Sequence, residues 1–147
     1  MIVHRGNPGM LLVASSLGFL LPAIVMFHDD DDTVTALELI LGFGAVITCL
    51  ASVNAWRHFP DEKGFVVDKL VARTSCALFT VVGLAVIPWE ALLEVGFPTW
   101  VVMAVCFGMS QLLKMTQFMK QAGFWAVAHA GFHLADASGM CLVIAHA

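Results

Sequence analysis

Long apolar runs separated by short polar segments dominate this chain. A membrane-crossing helix needs about 20 mostly apolar residues, and five runs reach or approach that length. The pattern predicts five helices, over residues 10–27, 33–56, 65–87, 98–119 and 123–146. Short connections predict that consecutive helices are antiparallel neighbours. We therefore predict an all-α fold, a polytopic membrane helix bundle with about five transmembrane helices, forming a single integral membrane domain over residues 1–147.

The composition agrees with a protein whose main partner is the lipid bilayer. Hydrophobic residues make up 60% of the chain and charged residues 12%. Soluble domains are typically about half apolar and about a quarter charged. Lysine and arginine are few and scattered, which argues against nucleic-acid binding. The four cysteines are widely spaced within apolar runs and are expected to pack as small buried hydrophobes.

The basic residues alternate between the two ends of the predicted spans. Those on one side are Arg5, Arg57, Lys63, Lys69, Arg73, Lys114 and Lys120. The loops predicted for the other side hold only acidic charges, namely Asp29–Asp32, Glu90 and Glu94. This is the positive-inside pattern. It predicts an N-terminus on the cytoplasmic, matrix or stromal side and a C-terminus on the opposite side.

The aspartate run at residues 29–32 has two interpretations. A dense carboxylate cluster suits hard cations. A solvated acidic turn would instead cap the positive end of the second helix. The run lacks the glycine and the spacing of a calcium loop, which favours the capping turn.

Several ionisable or polar residues lie within the predicted spans, where they are costly and therefore candidates for function. His129, His133 and Asp136 stand at i, i+4 and i+7, on one face of the last helix. Asn54 and His58 share a face near the inner end of the second helix. With Asp68 near the inner end of the third, these side chains can converge in the inner half of the bundle.

Two histidines at i and i+4 present two imidazoles to one zinc ion. A third histidine and a carboxylate from neighbouring helices would complete a site with an open position for water, which zinc converts into a nucleophile at neutral pH. The pair His129 and His133 also fits a packed, hydrogen-bonded pair or an axial ligand of a haem or chlorophyll-type pigment. The pair alone leaves these interpretations open.

The wider arrangement resembles the CREST superfamily of alkaline ceramidases, progestin and adipoQ receptors and hemolysin-III-like proteins. The segments that carry the resemblance are "NAWRH" (54–58), Asp68, and "HAGFHLADASG" (129–139). The family orders a Ser-xxx-His pair, an aspartate and a terminal HxxxH in the same way. The resemblance covers the second, third and fifth predicted helices.

The resemblance implies a zinc-dependent hydrolase of lipid amides. His58, His129 and His133 would bind zinc, and Asp68 would orient the attacking water and act as general base. Asn54 stands where the family has serine and would contact the oxyanion or the water. The chain departs from the family in having five predicted spans instead of seven. Asp136 has no family counterpart and would orient a histidine or pair with Arg73 or Lys69.

A second hypothesis is a non-catalytic accessory subunit of a large respiratory or photosynthetic membrane complex. Its buried histidines would then be structural or would ligate haem or pigment, and other membrane subunits would be its partners. A third hypothesis is a proton or ion path lined by His58, Asp68, His129, His133 and Asp136. Co-purification with a complex and the visible absorption spectrum test the second hypothesis. Proton or ion flux in liposomes tests the third.

Overall fold

The computed structural model describes residues 8–28, 34–58, 62–115 and 123–147, with the backbone alone at 62–64. Five of its helices are long and apolar enough to cross a membrane. We label them in chain order α1 (Pro8–Met26), α2 (Ala36–Arg57), α3 (Glu62–Val86), α4 (Trp89–Met115) and α5 (Phe124–Ile144). No strand occurs in the described ranges. The predicted all-α fold is confirmed, and the chain is a multi-pass integral membrane protein.

The helices form an open ring in the order α4–α5–α1–α2–α3. The most extensive interface joins α4 to α5, and α3 packs mainly against α2. The expectation that all consecutive helices are neighbours is wrong for α3 and α4, which make almost no direct contact. Consistent with that position, α3 and α4 are the two least buried of the five spans. The ring is therefore open between α3 and α4.

Two helices contain irregular turns that precede or include a proline. In α1 the 3-10 turn Leu17–Leu20 lets the Leu21 N–H bond to the Gly18 carbonyl. Pro22, the next residue, has no N–H and therefore cannot donate the hydrogen bond to the carbonyl four residues earlier that a regular α-helix contains. In α4 the π-helical turn Leu92–Gly96 precedes Pro98. Such single π turns accommodate local departures from the regular hydrogen-bond pattern.

The fourth helix begins earlier than the sequence pattern predicts. It starts at Trp89, after Pro88, and continues through the π turn into Phe97–Met115. Glu90 and Glu94 therefore lie in helical turns and not in a loop. The residues between these two glutamates are apolar, and they connect the first helical turn to the rest of α4. The predicted end of this helix at residue 119 lies outside the described residues.

The start of α2 is fixed by a capping box. The Thr35 side chain accepts from the Glu38 N–H at 3.1 Å, and the Thr35 N–H donates to the Glu38 carboxylate at 2.6 Å. Each side chain thereby satisfies a backbone donor that the helix leaves unpaired. The N-cap is thus Thr35. The aspartate run at residues 29–32, predicted to be a cap or a metal site, lies outside the described residues.

Candidate functional site

A cavity of about 1100 Å³ occupies the opening between α3 and α4. Its side walls are these two helices, and α5 and α2 form its inner wall. The polar and charged residues that line it are Thr48, Ser52, Asp68, Lys69, Arg73, Gln111, Lys114, His129, His133 and Asp136. The cavity lies toward the end of the bundle at which α3 and α5 begin, because its lining runs from Phe65 near the start of α3 to Asp136, about 18 Å along α5.

A chain of hydrogen bonds connects three helices behind the cavity wall. His133 Nδ1 of α5 lies 2.9 Å from Ser15 Oγ and 3.4 Å from Ser16 Oγ of α1. Ser16 Oγ lies 2.9 Å from Ser52 Oγ of α2. Ser52 and Asp68 of α3 both line the cavity. The chain follows the same helix order as the packing, from α5 to α2.

The hydroxyl protons give this chain a direction. Ser16 Oγ donates its one proton to the Leu12 carbonyl at 2.7 Å, so it accepts the hydrogen bond from Ser52 Oγ. Ser15 Oγ donates to the Leu12 carbonyl at 3.1 Å. Because that bond uses its only proton, Ser15 Oγ can only accept a hydrogen bond from His133. His133 Nδ1 then carries the ring proton, and Nε2 is the acceptor that the ring offers to a ligand.

The second histidine is held by the fourth helix and by an aromatic ring. His129 Nδ1 lies 3.2 Å from Ser110 Oγ of α4, which is fully buried. Trp56 packs edge-on against His129 with ring centroids 5.2 Å apart. The His129 and His133 rings are themselves 4.9 Å apart. The two imidazoles are therefore neighbours with fixed orientations, and together with the serine chain they tie α1, α2, α4 and α5 to the site.

Three basic side chains line the cavity from its two side walls. Lys69 and Arg73 lie on α3, and Lys114 lies on α4. The charges of Lys69 and Lys114 repel each other. Lys114 Nζ also lies 4.6 Å from the ring centroid of Trp125, which is a cation–π contact.

The structure brings together some of the predicted site residues and separates others. Asp68, His129 and His133 line one cavity, and so does Asp136. His58 is exposed at the end of α2, where its Nδ1 lies 2.9 Å from the Asn54 carbonyl oxygen. Asn54 is exposed, and neither residue lines the cavity.

The predicted zinc site requires His58 to lie beside His129 and His133, and the structure places His58 outside their cavity. Within the described ranges, no group of three or more His, Cys, Asp or Glu side chains is placed to hold a metal ion. His129 and His133 supply two nitrogen donors, and a structural or catalytic zinc takes at least three protein ligands. The zinc site of His58, His129 and His133 therefore stays a prediction.

The serines are the site residues that the sequence analysis missed. Ser15, Ser16 and Ser110 are buried in otherwise apolar helices, and each contacts a histidine ring. Ser52 faces the cavity, two positions from the predicted Asn54. A signal was present, since hydroxyls buried in a bilayer-spanning helix bond across helices or to their own backbone. Serine is common in such helices, however, and the sequence does not show which residue each serine contacts. Only the fold shows that three of these serines contact the histidines.

Comparison of this chain with protein-family models, with curated proteins and with solved structures gave no match. The CREST resemblance consequently stays a prediction.

Proposed function

We propose that this protein binds an amphiphilic molecule of the membrane in the cavity between α3 and α4. The observation that carries the proposal is a large cavity, open between two transmembrane helices, with two buried histidines and charged residues in its lining. Intramembrane ionisable groups are costly and mark sites of function. A bundle that only had to span the bilayer would gain more by closing the ring with apolar contacts.

The size of the cavity and its position suit such a ligand. Binding pockets for small molecules typically occupy about 300–1,000 Å³ and combine apolar walls with a few placed polar groups. The volume here, about 1100 Å³, lies just above that range. The aromatic residues of its wall are Phe19, Trp56, Phe65, Phe107, Trp125 and Phe132. An opening between α3 and α4 lets a ligand enter sideways from the hydrocarbon.

The buried histidines define what the polar part of the ligand must offer. Both rings use Nδ1 for a serine contact, which leaves Nε2 for the cavity. His133 carries its proton on Nδ1, so its Nε2 accepts a hydrogen bond, and a His129 ring in the same tautomer offers a second acceptor. A ligand that carries hydroxyl or amide N–H donors would satisfy both rings, and Asp68 offers a further acceptor on the opposite wall.

Tryptophan quenching by brominated phospholipids tests the proposal. Trp56 and Trp125 are 5% and 4% exposed and line the cavity, so lipid tails reach them chiefly by entering it. With Trp89 and Trp100 changed to Phe, we expect dibrominated phosphatidylcholine vesicles to quench the two remaining tryptophans, because bromine quenches on contact. A protein that retains only Trp89, which is 66% exposed, gives the reference for full lipid contact.

Filling the cavity provides the matched control. Ala72 and Ala77 line the cavity on α3, so that Ala72→Phe with Ala77→Phe should reduce the quenching of Trp56 and Trp125. Ala85→Phe with Ala104→Phe adds the same bulk at exposed positions that do not line the cavity and should leave quenching unchanged. The decisive comparison is between the protein that retains Trp56 and Trp125 and the reference protein that retains only Trp89. Quenching of the reference protein without quenching of the first would refute binding of membrane amphiphiles in this cavity.

The zinc-dependent hydrolase implied by the CREST resemblance is a more specific proposal for the same cavity. It requires about one zinc ion per chain, and His133→Ala should remove it, because two histidines of one helix would supply most of the ligands. Metal content of the purified protein by mass spectrometry measures both values. Purified protein that binds amphiphiles but carries no zinc would reject the hydrolase and retain the binding site.

A further inference from the structure

One basic residue of the cavity, Arg73, lies deeper than interfacial charges normally do. Arg73 stands eight residues after Phe65, the first residue of the α3 span, which is about 12 Å along the helix. Lys69 stands one turn before it on the same wall, and Lys114 lies in the last turn of α4. Basic residues near helix ends commonly extend their side chains to the interface. These three side chains all line the same cavity, so positive-inside topology alone does not account for their placement.

Lys69 and Lys114 face the cavity from opposite walls. Their like charges repel, which is unfavourable unless an anion lies between them. Two carboxylates, Asp68 and Asp136, also line the cavity, so that the three cations exceed the anions by one. Asp68 is the sequence neighbour of Lys69 on the same wall, while Asp136 lies seven residues further along α5 than His129. Among the described residues of α4 that line the cavity, none is a carboxylate beside Lys114.

We infer that the cavity binds an anionic group, a phosphate or carboxylate, between Lys69 and Lys114, with Arg73 as a third contact. The inference rests on the proposed function and specifies its ligand as an anionic amphiphile. The anionic headgroup lies at the inner end of the cavity, against the two ammonium groups. The apolar part extends along Phe107 and Phe132 toward the opening. Basic pockets between transmembrane helices on the inner side are suited to acidic headgroups.

The quenching assay distinguishes this inference from the proposed function. With Trp56 and Trp125 as the only tryptophans, brominated phosphatidic acid diluted into unbrominated phosphatidylcholine should quench at a lower mole fraction than brominated phosphatidylcholine diluted in the same way. Each basic residue contributes roughly fivefold to binding of an acidic lipid, so Lys69→Gln with Lys114→Gln should raise the half-quenching fraction roughly 25-fold. Arg57→Gln is the matched control, because Arg57 is basic and exposed on the same side but does not line the cavity.

A soluble anion has the same chemistry as an acidic headgroup, and a second arm separates the two sources. Inorganic phosphate titrated calorimetrically into protein in phosphatidylcholine nanodiscs should bind in the wild type and not in the double variant if the anion comes from water. Preference for brominated phosphatidic acid without phosphate binding identifies a lipid headgroup. Equal quenching by both lipids together with no phosphate binding would overturn the anion site while leaving amphiphile binding intact. Absence of quenching by every lipid would instead refute the proposed function.

Discussion

Trp56→Ala is expected to lower the free energy of unfolding by about 3 kcal/mol. Truncation of a buried tryptophan typically costs about 3–5 kcal/mol, and the lower end applies here because one face of Trp56 already borders the cavity. The indole packs edge-on against Phe65, with ring centroids 4.8 Å apart, and against His129 at 5.2 Å. It also lies 6.0 Å from the Trp125 ring. Its removal would leave three rings of the site without a common neighbour.

The exposed Trp89 provides the control for this prediction. Trp89→Ala removes the same side chain at a position that is 66% exposed, so its effect should stay within about 0.5 kcal/mol. Detergent–SDS titration of both variants, followed by circular dichroism, measures the free energy of unfolding. Equal losses for the two variants would show that the Trp56 cluster does not stabilise the bundle. Trp56→Phe should fall between them, because an edge-to-face partner for His129 remains.

Gly131→Leu is expected to destabilise the protein by about 1–3 kcal/mol, the usual cost of overpacking. Gly131 lies on α5 at its interface with α4, and a Cβ added there would stand 3.1 Å from Cys106 Sγ. That separation is already tighter than ordinary contact, so that a leucine must push the two helices apart. Small residues permit the close helix approach that stabilises membrane bundles.

Two further variants show whether the clash is the cause. Gly131→Ala should destabilise the protein less than Gly131→Leu does. Combining Gly131→Ala with Cys106→Ala should recover the lost stability, since the nearest remaining atom, Cys106 Cβ, lies 3.8 Å away. Gly108→Leu on α4 is the matched control, because no atom lies within 4 Å of a Cβ added there. Leucine also favours the helix over glycine, so Gly108→Leu should be neutral or slightly stabilising. Additive losses for Gly131→Ala and Cys106→Ala would contradict a direct clash.

The helices themselves were predictable because hydrophobic length is a local property. Five apolar runs predicted five spans, and each described helix coincides with one of them to within a few residues, except at the start of α4. There, Glu90 and Glu94 suggested a loop, since two charges in five residues are unfavourable in hydrocarbon. The π turn before Pro98 keeps those residues helical, and nothing in the apolar pattern announces such a turn.

The candidate site was predictable only in part. The i, i+4 spacing placed His129 and His133 on one face, and their position along the chain placed them at the depth of Asp68. Which face of α2 turns toward them was not decided by spacing, because α2 has polar residues at several angles. The structure directs Ser52 to the cavity and leaves Asn54 and His58 exposed. The rotation of one helix therefore changed the predicted partner set.

The sequence by itself determined the membrane class, the helix count and the cost of each intramembrane charge, because these depend on composition and on distance along a helix. The tertiary structure alone decided that α3 and α4 stay apart, that serines connect His133 to Ser52, and that Lys69 and Lys114 line one cavity. Those features depend on helix rotation and on which neighbours share an interface. Both are set by side-chain packing between segments far apart in the chain, which no local pattern encodes.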